Sequence, residues 1–435
     1  MLTLFGKRQS YCDGLTRRNF LKIGAMGFGG LTLPGLLRGE AAAAQGNLQA
    51  PASQKSIINV YLSGGPSHID TFDLKPSAPP EIRGEFHPIA TTVPGMEICH
   101  LMPKLAGLGK KIAIVRSLTD IRDEHAPNQT ESGWSQSELK SLGGHPSLGC
   151  VVSKLRGPTT EKSVPTFVDL SGHSVTGFLG PVYSGFRPNS EGRGDLQLQQ
   201  IGLDRFHSRT ELLGRLDRIR RDVDSTHAMD AMDAFNQRAV GLITSNKMAD
   251  ALNWEKADTK VRERYGINTD QSLSTFLVAK RLIETGVRII SMSWGGWDTH
   301  AQNFTSLRRQ LPPLDTALSA MIEDLDASGL LGSTMIVMWG EFGRTPRINP
   351  GAGRDHWARA ASALVAGGGM RMGQVIGSTN RYGETAQDRP VHLQEMFATF
   401  YHLLGIDPQT TTIRDPNGRP QYLVTHPDPI AELIG

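Results

Sequence analysis

The chain has 435 residues, 38% of them hydrophobic and 20% charged, which supplies enough apolar material for a large core and excludes a disordered or fibrous protein. Its 46 Lys and Arg against 43 Asp and Glu leave a formal charge of +3. No basic, aromatic-interleaved stretch accompanies it, so nucleic acid is excluded as a partner.

In chain order, the first segment reads as an export signal. "TRRNFLK" (Thr16 to Lys22) precedes the glycine-rich apolar run "IGAMGFGGLTLPGLL" and the small-residue stretch "EAAAA". A charged start, a short apolar middle and an A-x-A site ending near Ala44 describe a cleaved signal over residues 1–44. The paired arginines, followed by Phe20 and Leu21, point to the twin-arginine translocation machinery and a periplasmic or secreted product. A membrane anchor fits less well, because Pro34 breaks the run and it is shorter than the ~20 residues a spanning helix needs. Of three cysteines, Cys12 leaves with the signal. Neither Cys99 nor Cys150 sits in a C-x-x-C pattern, which argues against a thiolate metal site, and whether they pair is open.

Residues 45–55 read as a polar linker, and 56–435 as one domain. Nearly continuous apolar runs predict strands at 57–62, 111–117, 165–170, 287–294, 334–339 and 361–367. Continuity, in place of alternation, is the pattern of a parallel strand covered on both faces. Between them lie helical patterns. "SRTELLGRLDRIRRDVD" opens with Ser208 and Glu211 in capping-box spacing. "LSTFLVAKRLIETG" ends at Gly286 and feeds the strand at 287, while Leu311, Leu314, Leu318, Met321 and Leu325 form one apolar stripe. Strand and helix in alternation predict an α/β fold with a largely parallel central sheet and helices on both faces. The strand-free stretch from about 203 to 266 reads as a helical insertion.

Open α/β sheets build their sites in the crevice beyond the carboxyl ends of the strands. Three polar loops stand there: "GGPSHIDTFD" with His68, Asp70 and Asp73; "GGWDTHAQ" with Asp298 and His300; and "GEFGRTPRINPGAGRDHW" with Glu341, Arg344, Arg347, Asp355 and His356. Several acids brought together in a partly dry crevice repel one another unless a cation compensates, and mixed Asp, Glu and His donors suit a divalent ion. A fourth loop, "RDEHAPNQTESGW", adds His125, Asn128, Thr130 and Ser132, where a hydroxyl near a metal can serve as nucleophile. Each piece also has a plainer reading. Asp298 and His300 fit a capped turn, Glu341 a structural pair with Arg344, Asp355 a helix N-cap, and Thr130 an ordinary cap.

The combination of "YLSGGPSHIDTFDLKPSAPPEIRGEF", "WDTHAQN", "GEFGRTPRIN" with "GRDHW", and the tail "LQEMFATFYHLLGIDP" resembles a bacterial family of twin-arginine-exported proteins, a sulfatase-like domain of unknown function in the alkaline phosphatase superfamily. The resemblance spans essentially the whole chain after the signal. It implies an exported hydrolase of phosphate or sulfate esters with one or two zinc, calcium or manganese ions, acting on a small-molecule or glycan ester. By position it implies Asp298 and His300 as the first ligand pair, Glu341 as the next acidic ligand and His356 as the last His, with Asp70 as a substitute for the first Asp; the loops' own chemistry adds Asp355 as a candidate ligand and His125, Thr130 and Arg344 as candidate catalytic groups. Arg344, with Arg347 as a second candidate, would be the clamp on the transferred anion. The chain departs from the superfamily where Phe342 replaces a common His and where Ser63 and Gly64 stand at the expected first Asp. It also lacks C-x-P-x-R, which excludes a cysteine-derived nucleophile. The rival expectation is a non-catalytic protein of the same fold that binds anionic glycans.

Overall fold

A computed structural model describes residues 54–157, 164–188 and 246–434 of the chain. The signal, most of the linker and the helix predicted to start at Ser208 lie outside the described residues. All six predicted strands are present. They are β1 (Ser56–Tyr61), β2 (Ile112–Thr119), β3 (Phe167–Asp169), β4 (Ile289–Ser293), β5 (Thr334–Trp339) and β6 (Ala361–Gly367). Two short strands follow, β7 (Gln374–Ile376) and β8 (Val391–His392). They form one sheet in the order β7-β2-β6-β5-β1-β4-β3, with β8 also paired to β2.

Parallel pairing joins β1 to both β4 and β5, β3 to β4, and β7 and β8 to β2. The strand at 361–367 departs from the expectation: β6 runs antiparallel to both β2 and β5. A central strand buried on both faces has the same apolar run whichever way it points, so its direction is invisible in composition. The reversal has a geometric result. The carboxyl ends of β1, β2, β4 and β5 and the entry to β6 all lie on one edge of the sheet.

Burial on both faces explains the continuous runs. Ile58, Val60, Ile290, Met292, Ile336 and Met338 belong to one core, and Ile57, Ile289, Met335, Val337 and Val365, one residue out of step, belong to the other. The first core is closed by α2 (Ser274–Glu284) and α3 (Asn303–Ala327), whose stripe of Leu311, Leu314, Leu318, Met321 and Leu325 is buried as the spacing predicts. The described part of the insertion, 246–266, is helical and adds Met248, Leu252 and Tyr265 to this core. The second core is closed by α1 (Leu148–Arg156) and α4 (Leu393–Leu403). Each buried Leu, Ile or Phe contributes about 1.5–3 kcal/mol relative to its exposed state, so the two cores dominate the stability of the fold. Cys99 and Cys150 are both free and buried, and do not pair.

A polar knot fastens the short helix Asn128–Ser132 to the sheet. Asn59 on β1 donates to the Thr130 carbonyl at 2.9 Å and to Glu131 Oε1 at 3.1 Å, while its own oxygen accepts from the Trp339 indole at 2.8 Å. Ser291 on β4 bonds Glu131 Oε2 at 2.8 Å. Burial pushes the Glu131 carboxyl up to about 8, with the charge of Asp169 adding to the rise. The folded chain thus holds this proton more tightly than the unfolded chain. The associated stability is full below the ordinary carboxylate range and is lost as pH rises toward about 8. Glu131→Gln mimics the protonated form, so its stability relative to wild type should rise between about pH 5 and pH 8 and then level off. Urea midpoints at several pH values test this, and a constant difference would refute it.

Candidate metal centre

Three loops meet at the shared edge of the sheet. The loop after β2 brings His125, the loop after β4 brings Asp298 and His300, and the segment between β5 and β6 brings His356. One ligand atom from each of these four residues lies within 4.8 Å of all the others. His300 Nε2 and His356 Nε2 approach Asp298 Oδ1 at 3.0 and 3.3 Å, and His125 Nε2 approaches Asp298 Oδ2 at 3.5 Å.

Every imidazole in the group has a carboxylate behind it. His125 Nδ1 faces Glu341 Oε1 at 3.2 Å, His300 Nδ1 faces Asp355 Oδ1 at 2.7 Å, and His356 Nδ1 faces Asp123 Oδ1 at 2.7 Å. A carboxylate at Nδ1 fixes the proton there and leaves Nε2 as a bare lone pair. Two such lone pairs, His300 Nε2 and His356 Nε2, stand 2.9 Å apart. Without a proton or a cation between them they repel, so the residues present fit a divalent ion. Three imidazoles and a carboxylate suit zinc better than calcium, which prefers six or more oxygens. His125, Asp298 and His300 keep 45–46% of their side-chain surface exposed, which leaves a face of the group open to solvent.

Supporting groups fix this geometry. Phe342, buried, lies 4.3 Å from the His356 ring and 5.2 Å from the His125 ring, an apolar floor beneath both. Burial pushes the Asp298 carboxyl up, but the hydrogen bond and charge of Arg344 outweigh it and hold the group below the usual carboxylate range. Two glycines permit the close approach of the loops. Gly64 has φ +104°, and a Cβ there would sit 2.4 Å from the Asp298 nitrogen; one on Gly353 would sit 2.0 Å from the His300 carbonyl oxygen.

The other residues singled out in the sequence stand around this group in different positions. Asp70 is not at the centre: fully buried, it accepts from Arg354 Nε at 2.7 Å and Nη2 at 3.0 Å, with Ser67 and Asn303 completing its bonds. Glu341 stands behind His125, outside the four-residue group. Its oxygens accept from the Gly64 and Gly65 amides at 2.8 and 3.1 Å, so the glycine loop after β1 supplies donors where ligands were expected. Asp355 likewise supports His300. Arg344 is buried and faces inward, donating to Gly65 and Arg354 carbonyls at 2.9 and 3.0 Å, to the Gly64 carbonyl, and to Asp298 at 2.6 Å. It anchors Asp298 and leaves no face for an external anion. Arg347 is exposed but lies outside the four-residue group. The Thr130 hydroxyl is buried and donates back to the Pro127 carbonyl of its own helical turn at 3.1 Å. His125, expected to be catalytic, stands within the group of metal-type donors. Asp123 was missed. Its D-x-H spacing to His125 repeats that of Asp298 and His300, the one signal in the sequence that marks it.

Carboxylates behind metal-bound imidazoles govern affinity, so Glu341→Ala and Asp355→Ala should each weaken zinc binding by about 10–100-fold in chelator competition. Asp70→Ala should instead lower stability by about 3–5 kcal/mol, because it strands the buried Arg354 guanidinium. A large loss of zinc affinity in a stably folded Asp70→Ala protein would contradict this division of roles.

Comparison with known proteins places these observations in a family. No curated protein matches the chain. Among solved structures, a sulfatase from Pseudoalteromonas sp. is 11% identical with a TM-score of 0.38, covering 86% of this chain and 72% of its own. The alkaline phosphatase of the Antarctic bacterium TAB5 is 14% identical at a TM-score of 0.37, covering 83% of this chain and 99% of its own. A phosphonate monoester hydrolase from Silicibacter pomeroyi is 10% identical at 0.32, covering 81% and 73%. The family described as a protein of unknown function, DUF1501, matches residues 54–434, and the chain belongs to it.

Proposed function

We propose that the protein is a metal-dependent hydrolase of phosphate or sulfate esters that holds one divalent ion, zinc by preference, on His125, Asp298, His300 and His356. The observation that carries this reading is the set of three imidazoles, each with a carboxylate at Nδ1 and its Nε2 turned toward Asp298. When bound, such an ion supplies a Lewis acid that polarises an ester oxygen and lowers the pKa of water.

The chain's own groups do the positioning. Asp123, Asp355 and Glu341 retain the Nδ1 protons and orient the rings, and Arg344 keeps Asp298 ionised. Phe342 keeps water from the inner side of two of the rings, while the exposed sides of His125 and His300 admit substrate. With the Thr130 hydroxyl committed to a carbonyl, the reading favours direct attack by water over a covalent intermediate on that residue. Export by the twin-arginine route is part of the proposal and is supported by the "TRRNFLK" pattern. No helix among the described residues is long and apolar enough to cross a membrane.

Metal analysis should give one zinc per chain, and the loaded protein should cleave 4-nitrophenyl phosphate or 4-nitrophenyl sulfate. His300→Ala and His356→Ala should lower that rate by roughly 100-fold or more. A protein with its full zinc complement that turns over neither ester would favour the glycan-binding alternative. Replacing Arg17 and Arg18 together with Lys should leave the chain uncleaved in the cytoplasmic fraction; unchanged export would remove that part of the reading.

A further inference from the structure

A cleft of about 620 Å³ opens beside the metal centre. Its walls are continuous with the loops that build that centre. Arg122 immediately precedes Asp123, the partner of His356, and Arg359 follows His356 by three residues; both line the cleft and both are exposed. Their situation differs from that of the neighbouring arginines. Arg344 and Arg354 are fully buried and committed to carbonyls and carboxylates, and Arg389 is paired with Glu395 and Glu432. Among the described residues the Arg122 guanidinium has no hydrogen-bond or ion-pair partner, and that of Arg359 lies 5.3 Å over the Trp357 ring with no carboxylate beside it. Two guanidinium groups left without anions, on walls that lead to a metal centre, are suited to a second negative group of a bound molecule.

The remaining lining narrows the class of that molecule. Asp120 and Glu138 also face the cleft. Asp120 accepts from the Thr119 hydroxyl at 3.1 Å and lies 3.7 Å from His392, and Glu138 accepts from Ser135 at 3.3 Å. Each retains acceptor capacity for hydroxyl donors. A polyphosphate brings no hydroxyl donors to match these carboxylates, and a lipid chain would find few aliphatic groups. Trp134 adds an aromatic surface that already stacks His145 at 3.8 Å. Cations, hydroxyl acceptors and an indole together match a molecule carrying both hydroxyls and anionic groups.

We propose that this cleft holds the organic part of the substrate and that this part is an acidic saccharide, with Arg122 and Arg359 engaging an anionic group other than the one delivered to the metal centre. The proposal rests on the ester-hydrolase reading, and its test is independent of turnover. Calorimetric titration of the zinc-loaded full chain with a multiply sulfated heparin disaccharide should show binding, with the unsulfated disaccharide at least 10-fold weaker. Joint Arg122→Ala and Arg359→Ala replacement should weaken the sulfated probe by roughly 10- to 100-fold, while Arg122→Lys with Arg359→Lys retains part of the affinity. Zinc content and thermal midpoint should match wild type in both variants, which separates loss of contact from loss of fold.

Equal affinity of the alanine variant and wild type, or equal affinity for the sulfated and unsulfated probes, would overturn the assignment. So would preferential binding to phosphatidylglycerol vesicles or to inorganic tripolyphosphate. Arginine-dependent binding with no ester cleavage would uphold the cleft's ligand class and overturn the hydrolase reading instead, so the two failures are distinguishable.

Discussion

The mutual repulsion of imidazole lone pairs is the constraint on which the arrangement around the site depends. Three rings are locked into one tautomer by carboxylates at their backs, and two of the resulting lone pairs are held 2.9 Å apart. Such a juxtaposition costs energy in proportion to its rigidity, and rigidity is what the surrounding residues supply. Glu341 is seated on two backbone amides, Asp298 is pinned by a buried guanidinium, and Asp70 with Arg354 ties the loop after β1 to the segment between β5 and β6. The centre is preorganised for positive charge by structure that lies mostly outside it.

That distribution of roles explains why so many charged residues are buried nearby without acting as ligands. Arg344 and Arg354 place their guanidinium groups among backbone carbonyls, where nearly all of their donors are used. A carboxylate or guanidinium alone in such surroundings would be strongly unfavourable, but each is matched by the other. The ion pairs therefore act as internal braces between loops that arrive from strands far apart in the sequence.

The sequence made the scaffold legible because strands buried on both faces leave an unbroken apolar run, and helices leave a stripe. It could not reveal the direction of β6, since the run "ASALVAG" is the same read either way. The loops that meet at the sheet edge were legible too, because acids and imidazoles clustered after β2, β4 and β5. What remained hidden was the division of labour. Asp70, Glu341 and Asp355 have the chemistry of ligands, and only three-dimensional packing shows that each is spent on a neighbouring arginine, amide or ring. Asp123 escaped notice for the opposite reason: exposed and flanked by other charges, it resembles surface until its 2.7 Å contact with His356 is seen.

The reversed strand has an architectural outcome. Because β5 and β6 are adjacent partners, the excursion from Gly340 to Ala360 leaves and re-enters the sheet at neighbouring lanes, like a loop of rope tied off at two cleats. Its roots are clamped by ladder hydrogen bonds, and residues near those roots, Glu341 and His356 among them, inherit that clamping. The far tip, 347–352, is lashed back to the same edge: the Gln302 and Asn303 amides donate to the Gly351 and Ala352 carbonyls at 3.0 and 2.9 Å, and Asn349 donates to the His300 carbonyl at 2.8 Å, so a change of length at the tip would be transmitted to the loop that carries Asp298 and His300.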